Sequence, residues 1–360
     1  MAFHPRPRPD RSTLLRSAPT RRPLGLLLGA AMLLACACAS GPKRVSPTTE
    51  LEIYRDSANV FYRTEDLARA EAQASKGLEI ERRDVPLRLM LGWISLRRGD
   101  TANLMRAEQI FREVLEDAKD NTQARLGLGE ALERLGVVSS QSADTIEAGD
   151  RLPRRGTPLE RAEELRADAL KKWREAMTHY ESTLVQRGGS FKALNGLQRT
   201  ASLLGNYAQS LEYAERLIAL SEAEAEDFRR LIEQGSLQPG QELELRKSEL
   251  RSRRLRVEAH LLASDLLMQL ERPGDSIAHL DAAIEVDPRR VDALGRRAEL
   301  RTQAGDFHGA IEDIDRLLAA STELPYEHPD IRRAYDLRAT AEKGRQGNAA
   351  MAPTKANAEP

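Results

Sequence analysis

The amino-acid sequence predicts an all-α protein, a solenoid in which helical hairpins stack on one another. The main observation is a recurrence at 34 residues: Ser276, Leu280 and Ala283 form a pattern of small and apolar residues that returns in 310–317. Residues spaced by four and then three lie on one face of a helix. A recurrence with this period indicates stacked helical hairpins.

Composition supports the same fold class. Of 360 residues, 4% are aromatic and 31% are charged, so we expect a thin array in which each helix pair packs on its neighbours instead of one thick core. Abundant Ala, Leu, Glu and Arg favour helix. No run alternates apolar and polar residues clearly enough to predict a strand.

The first 35 residues predict an export signal. Residues 1–23 are basic, and residues 24–35 are apolar, uncharged and short for a bilayer span. The sequence Leu33-Leu34-Ala35-Cys36 resembles the lipobox of bacterial lipoproteins. This resemblance implies cleavage before Cys36, lipidation of its sulfur and acylation of the new amino group, which together anchor a protein stably to a membrane.

Other interpretations of this segment stay open. It could be an uncleaved anchor helix, a secretory signal cut near Ala39, or a lipoprotein signal that uses Cys38. Arg21 and Arg22 loosely resemble a twin-arginine export motif. In the lipoproteins that the segment resembles, a residue such as Ala37 in place of aspartate is compatible with an outer-membrane location facing the periplasm.

Charge and cysteine content exclude some classes of protein. Residues 1–35 carry six arginines and one aspartate, so their removal changes the formal net charge from −1 to −6. An acidic exported protein is a poor candidate for nucleic-acid binding. Cys36 and Cys38 are the only cysteines, so no disulfide framework is expected.

Residues 36–49 are expected to form the lipidated cysteine and a flexible tether. The first helix is then predicted to begin at Thr49, an N-cap with Glu52 completing a capping box. Six hairpin units follow along the chain, and their first residues are Leu51, Val85, Thr122, Phe191, Val257 and Val291.

These units resemble the tetratricopeptide repeat (TPR), which has small residues at positions 8, 20 and 27 and bulky apolar residues at 4, 11 and 24. The first unit matches with Tyr54, Ala58, Phe61, Ala70, Ala74 and Gly77, and the unit from Val257 matches with Ala263, Leu267, Ser276, Leu280, Ala283 and Pro288. The small residues allow two helices to approach closely. The resemblance implies a right-handed superhelical solenoid.

Two segments depart from the repeat. A Ser-, Gly- and Pro-rich loop is predicted at 137–158, where it interrupts the third repeat within an N-terminal lobe of residues 50–222. An acidic helix, a turn and a charged helix are predicted at 223–256, as a connector to a C-terminal lobe of residues 257–343. That lobe is expected to end in a capping helix from Asp330 to Lys343, with residues 344–360 disordered.

The TPR resemblance also indicates where a partner would bind. In that family, positions 2, 5, 9, 12 and 13 of each first helix line a concave groove. Transferred by register, the candidate residues are Arg55, Asn59, Tyr62, Arg63, Leu89, Trp93, Leu96, Arg97, Lys192, Asn195 and Arg199. Tyr, Trp and Arg dominate binding energy at interfaces. The three residues of the fourth unit suit an acidic segment or a terminal carboxylate.

The sequence offers little support for catalysis. Gly274-Asp275-Ser276-Ile277 resembles the nucleophile block of GDSL hydrolases, with His328 downstream, but Ser276 falls at a small position inside a helical repeat instead of following a strand. Glu175 and His179 share a helix face and are more simply a solvated pair than metal ligands. We therefore expect no catalytic residues, no metal site, no cofactor and no small-molecule substrate.

These observations predict a lipid-anchored scaffold of the bacterial outer membrane, facing the periplasm, that binds other envelope proteins in its groove. Similar lipoproteins serve envelope assembly, secretion or pilus biogenesis. Two alternatives are a regulator of an enzyme that synthesises or remodels peptidoglycan, acting through the 137–158 loop or the 240–256 helix, and, more remotely, a hydrolase.

Overall fold

The computed structural model describes residues 46–150, 153, 156–235 and 238–351, which form thirteen α-helices and contain no β-strand. The helices are α1 (Pro47–Arg63), α2 (Leu67–Ile80), α3 (Val85–Arg98), α4 (Thr101–Asp117), α5 (Thr122–Glu147), α6 (Pro158–Gln186), α7 (Phe191–Leu203), α8 (Tyr207–Glu233), α9 (Pro239–Gln269), α10 (Pro273–Val286), α11 (Val291–Gln303), α12 (Phe307–Ala320) and α13 (Pro329–Met351). The chain divides into residues 1–50 and 51–360, and α2 to α13 lie in the second unit.

Consecutive helices pair into six hairpins, from α1/α2, where Leu51 and Ala58 pack with Ala74, to α11/α12, and each hairpin packs on the next. The predicted fold class, an all-α superhelical solenoid of TPR-like hairpins, is confirmed. Helices α3, α5, α7 and α11 begin at Val85, Thr122, Phe191 and Val291. These are the residues at which the periodicity places the corresponding units.

Polar side chains fix the start of many helices. Asp84 accepts a hydrogen bond from the Leu87 amide at 2.8 Å, and Asn121 accepts one from the Ala124 amide at 2.9 Å. Such caps satisfy amide groups that have no partner within the helix. Because each cap ends a short turn, it also sets where the next hairpin begins.

Glycine allows the hairpins to approach closely where large aromatic rings fill the space between them. A Cβ atom on Gly127 would lie 2.3 Å from the Phe111 ring, and one on Gly196 would lie 2.3 Å from the Tyr180 ring. Phe111 and Tyr180 are almost fully buried. Close packing around a few large side chains therefore stabilises a chain with few aromatic residues.

Two predicted boundaries in the N-terminal half of the chain are wrong. Helix α1 begins at Pro47, before Thr49, and the Thr49 amide donates to Ser46 Oγ at 3.2 Å. The 137–158 loop is also shorter than predicted, because α5 continues to Glu147 and α6 begins at Pro158. Ala143 and Ile146 are buried against Ala162 of α6, and this packing outweighs the weak helix preference of the serines.

Residues 223–256 are not a separate connector. The helices predicted in this range are present, but they are the end of α8, up to Glu233, and the start of α9, from Pro239, and these two long helices pack on each other. Leu211 and Ala214 of α8 share a core with Ala263, Leu266 and Leu267 of α9. The acidic and basic segments are therefore an extension of this helix pair.

The C-terminal helix is longer than the predicted cap. Helix α13 starts at Pro329, one residue before the predicted start, and continues to Met351, so residues 344–351 are helical instead of disordered. Ile331, Ala334 and Ala341 are buried. The predicted signal peptide, the lipidation site Cys36 and the tail 352–360 lie outside the described residues.

Candidate partner-binding groove

In each of the first two hairpins, a positively charged side chain lies over the ring of an aromatic residue. The Arg97 guanidinium of α3 lies 5.3 Å from the ring centroid of Tyr62 on α1. Arg97 also pairs with Glu65 at 3.4 Å. Tyr62 is half-buried, and burial raises the pKa of its hydroxyl. These residues form a partly exposed surface across two neighbouring first helices.

Trp93 is the second aromatic residue of this surface. Its ring is half-buried and meets Phe111 edge to face at 5.3 Å between centroids. On the same tryptophan, Lys192 of α7 places its ammonium 5.2 Å from the ring centroid. The structure thus brings together two predicted groove residues that lie in the second and fourth hairpins.

Arg199 has a structural partner within the chain, and its contact with a binding partner stays a prediction. Its guanidinium donates to both carboxylate oxygens of Glu133, at 2.6 and 2.9 Å. Glu133 is buried, and the Tyr180 hydroxyl donates to it at 2.9 Å. Burial opposes the charged form of Arg199, but the hydrogen bonds and charge of Glu133 outweigh it, so the pKa of Arg199 is raised. Arg199 therefore neutralises the buried carboxylate of Glu133 between neighbouring helices.

The other predicted residues have different surroundings, and half-buried Leu89 packs against the core. Arg55 is engaged by Asp84, with its Nε 3.0 Å from the carboxylate, so it supports the cap of α3. Leu96 is 2% exposed and belongs to the core, which corrects its assignment to the groove. Exposed side chains without such roles are Asn59, Arg63 and Asn195.

Several groove residues were missed in the third hairpin. Glu130 and Arg134 of α5 stand 3.8 Å apart, and the charge of Glu130 acts on both Tyr62 and Arg199. The signal existed in the sequence: the same positions counted from Thr122 give Glu130, Glu133 and Arg134. The delayed second helix obscured the register of this unit.

The last hairpin also presents groove positions, and these line a cavity. A cavity of about 820 Å³ is lined by residues of α9, α11, α12 and α13, including Gly295, Leu317 and Leu337. Its rim carries ion pairs such as Arg296–Asp265 at 2.7 Å. Counted from Val291, the groove positions include Asp292 and Gly295, which do line the cavity.

The residues considered for chemistry have structural partners. Ser276 is fully buried and donates to the Ser264 carbonyl at 3.1 Å, so it is no exposed nucleophile. Glu175 pairs with Arg112 at 2.7 Å and lies 3.9 Å from His179. Within the described ranges, no group of three or more potential ligands is arranged to hold a metal ion. No helix of the described chain combines the length and apolarity that a membrane crossing requires.

The fold and this surface define an all-helical repeat protein with a multi-helix groove. A family model described as a tetratricopeptide repeat matches residues 261–325. These are the residues of hairpins five and six, whose sequence pattern is the most regular. Residues 261–325 therefore match the tetratricopeptide repeat, and the described helices form a solenoid of that kind. Among curated proteins, none has a sequence that matches this chain.

Several solved structures are similar to this chain at low sequence identity. IFIT1, in a monomeric mutant with Gppp-AAAA, is 15% identical with a TM-score of 0.51, and the alignment covers 83% of this chain and 55% of that one. This chain therefore spans about half the length of that protein. PilW, a type IV pilus biogenesis factor, is 12% identical (79% and 98% covered, TM-score 0.49), and Pseudomonas aeruginosa PilF is 12% identical (82% and 99%, TM-score 0.47). At 15% identity the likeness to IFIT1 concerns the fold alone.

Proposed function

We propose that this protein is a lipid-anchored scaffold of the bacterial envelope that binds a segment of another protein along its first helices. The observation that carries the proposal is the surface formed by Tyr62 and Trp93 with Arg97 and Lys192 above their rings. Half-buried aromatic residues and arginines are the residue types that contribute most to protein interfaces. An acidic side chain of a partner can form a charge-assisted hydrogen bond with Lys192 or Arg97, while the apolar part of the partner covers the two rings.

The groove is tested by comparing the proteins that crosslink to the chain in envelope fractions. The variant Tyr62→Ala/Lys192→Glu removes one ring and reverses one charge without touching the Glu133 network. The matched control, Leu159→Ala/Arg174→Glu, changes the same residue classes at exposed positions of α6. We expect the groove variant to recover at least tenfold less of a specific partner and the control to recover wild-type amounts. Equal recovery by both variants would refute the groove.

The membrane anchor rests on the sequence pattern before Cys36. With Cys36→Ser, incorporation of labelled palmitate should disappear and the protein should move from the membrane to the soluble envelope fraction. Outer-membrane location is tested by density fractionation of the wild type. An unlabelled wild-type protein in the cytoplasm would contradict both the anchor and the periplasmic role.

The second candidate, regulation of an enzyme that synthesises or remodels peptidoglycan, is favoured by the long α8/α9 pair, which extends past the hairpins. Shortening this pair should then abolish stimulation of the enzyme while leaving partner capture by the groove intact. Loss of both activities together would favour a single groove-based scaffold.

A further inference from the structure

The α8/α9 pair carries an extension that the fold itself does not require. Helices α8 and α9 have 27 and 31 residues, against 13 or 14 in α3, α7, α10, α11 and α12. The other long pair, α5/α6, builds an apolar core of its own in its extension. In the α8/α9 extension polar contacts also join the helices, such as Ser252 to Glu224 at 3.0 Å and Arg229 to Glu249 at 3.4 Å.

One face of α9 in this extension is apolar and basic and has no described neighbour that covers it. Leu243, Lys247, Leu250 and Arg254 follow one another at helical spacing, and Arg251 stands beside them. We call these five residues the α9 stripe. Leu243 and Leu250 are 54% and 52% exposed. The residues of α9 that contact α8 (Glu249, Ser252 and Arg256) lie on another face.

The charges of the stripe are available to a partner. Arg251 and Arg254 form no ion pair with a described residue, although the charge of Arg251 helps to lower the pKa of Glu244. Lys247 pairs with Glu244 of its own helix at 2.7 Å. Two leucines seven residues apart, flanked by three cations, match the pattern by which one helix receives the apolar face of another. Acidic side chains beside that face would pair with the arginines.

Charge also distinguishes among possible occupants. Residues 222–233 of the adjacent α8 carry five acids and two arginines, so an anionic bilayer would be repelled beside the stripe. A second copy that packed stripe on stripe would oppose cations to cations. The α8 end of a second copy offers Leu231 as its exposed leucine, not a pair at heptad spacing. A flat bilayer would meet α8 as well, whereas an acidic helix from a different protein can lie along α9 alone, because the stripe and the α8 contact are on different faces of α9.

We propose that the α9 stripe docks an acidic amphipathic helix of another protein, whose leucines pack on Leu243 and Leu250 and whose carboxylates pair with Arg251 and Arg254. This inference deepens the proposed scaffold function by adding a second contact on residues separate from the groove. Since the two surfaces share no residue, each can fail without the other.

The test uses the full chain and a fluorescein-labelled synthetic helix of three heptads, with leucine at one position of each heptad and glutamates flanking it. Binding is measured by fluorescence anisotropy. We expect Leu243→Ser/Leu250→Ser and Arg251→Glu/Arg254→Glu each to weaken binding at least tenfold. The control Leu159→Ser/Arg174→Glu and the groove variant Tyr62→Ala/Lys192→Glu should bind as the wild type does. Far-UV circular dichroism checks that each variant is folded.

A charge swap makes the test specific. A second peptide, with lysine in place of each glutamate, should bind the Arg251→Glu/Arg254→Glu protein more tightly than the wild type. The proposal is overturned if acidic-peptide affinity is the same for all variants, or if the lysine peptide shows no preference. It is also overturned if the stripe residues instead govern dimerisation in sedimentation velocity or binding to phosphatidylglycerol vesicles.

Discussion

The Glu133 carboxylate shows how a single buried charge ties three helices together. It accepts hydrogen bonds from Arg199 of α7 and Tyr180 of α6. The backbone carbonyl of Glu133, in α5, also accepts a hydrogen bond from the Trp173 indole of α6 at 3.2 Å. Burial, together with the negative charge of Glu133, raises the pKa of Tyr180 well above its usual value. The proton therefore stays on the tyrosine, and the hydroxyl remains a donor.

Removing the Glu133 carboxylate should lower the free energy of unfolding. Glu133→Ala leaves a buried tyrosine hydroxyl and a partly buried guanidinium without their acceptor, so we expect the free energy of unfolding to fall by about 3 kcal/mol. Urea unfolding at pH 7 measures the change. Glu116→Ala, at an exposed position of α4, should change stability by less than about 0.5 kcal/mol. Similar losses in the two variants would contradict a structural role for the network.

A histidine pair between α9 and α10 makes stability depend on pH. His260 and His279 place their Nδ1 atoms 3.1 Å apart. Burial, His279 and Arg256 lower the pKa of His260 to about 4. Since an unfolded histidine titrates near 6.5, the unfolded chain takes up a proton as the pH falls from 7 to 5, while folded His260 does not. Acidification over this range should therefore destabilise the fold.

The expected contribution of His260 is about 2 kcal/mol between pH 7 and pH 5. Carboxylates also titrate toward the acid end, so the informative quantity is the difference between the wild type and His260→Gln. Urea unfolding of both proteins at pH 7 and pH 5 measures this difference in unfolding free energy. The variant should lose less stability on acidification than the wild type. Identical losses would show that His260 is protonated in the folded protein.

At the scale of helices, glycine positions decide how close hairpins can lie. Gly196→Ala places a methyl group against the Tyr180 ring, which also lies close to Gly129. We expect a loss of about 1–3 kcal/mol in unfolding free energy from overpacking. Gly274→Ala, in α10, meets no atom within 4 Å and should be neutral or slightly stabilising because alanine favours helix. Thermal unfolding of the pair separates close packing from helix propensity, and equal effects would refute the packing argument.

Helix pairs were predictable because the spacing of small residues is imposed by contacts within one repeat. The same reasoning failed at 137–147, where Ser142 donates to the Val138 carbonyl and Ser139 donates to Asp168, both at 2.7 Å. Those serines are satisfied inside or between helices, so their turn-forming preference does not act. Composition cannot reveal such long-range partners.

The candidate groove was predictable for a related reason and to a smaller extent. Register alone places Trp93 and Lys192 on first helices, and the structure joins them. Register does not say that Arg199 neutralises Glu133, which lies 66 residues earlier. An ion pair between hairpins depends on which side chains meet, and a repeat pattern carries no information about that pairing.

At the scale of the whole chain, the solenoid must cover its last apolar face. Helix α13 does this: Ala334 packs into the core formed by hairpins five and six, and Ala341 packs against Ala310 and Ile311 of α12. A solenoid without such a cap exposes the surface that would receive the next repeat. The cap is therefore expected to stabilise the two hairpins before it, although its own sequence is highly charged.

Truncation tests this role. A chain that ends at Leu324 lacks α13 and uncovers the side chains beneath Ile331 and Ala334, so its C-terminal hairpins should melt at a lower temperature and bind a hydrophobic dye. A chain that ends at Met351 keeps the whole helix and should melt as the full protein does. Because TPR arrays are stabilised by neighbour contacts, the loss should be largest in α11 and α12 and small in α3 to α7, as amide exchange can resolve. Uniform loss of protection along the chain would instead indicate that the array unfolds as one cooperative unit.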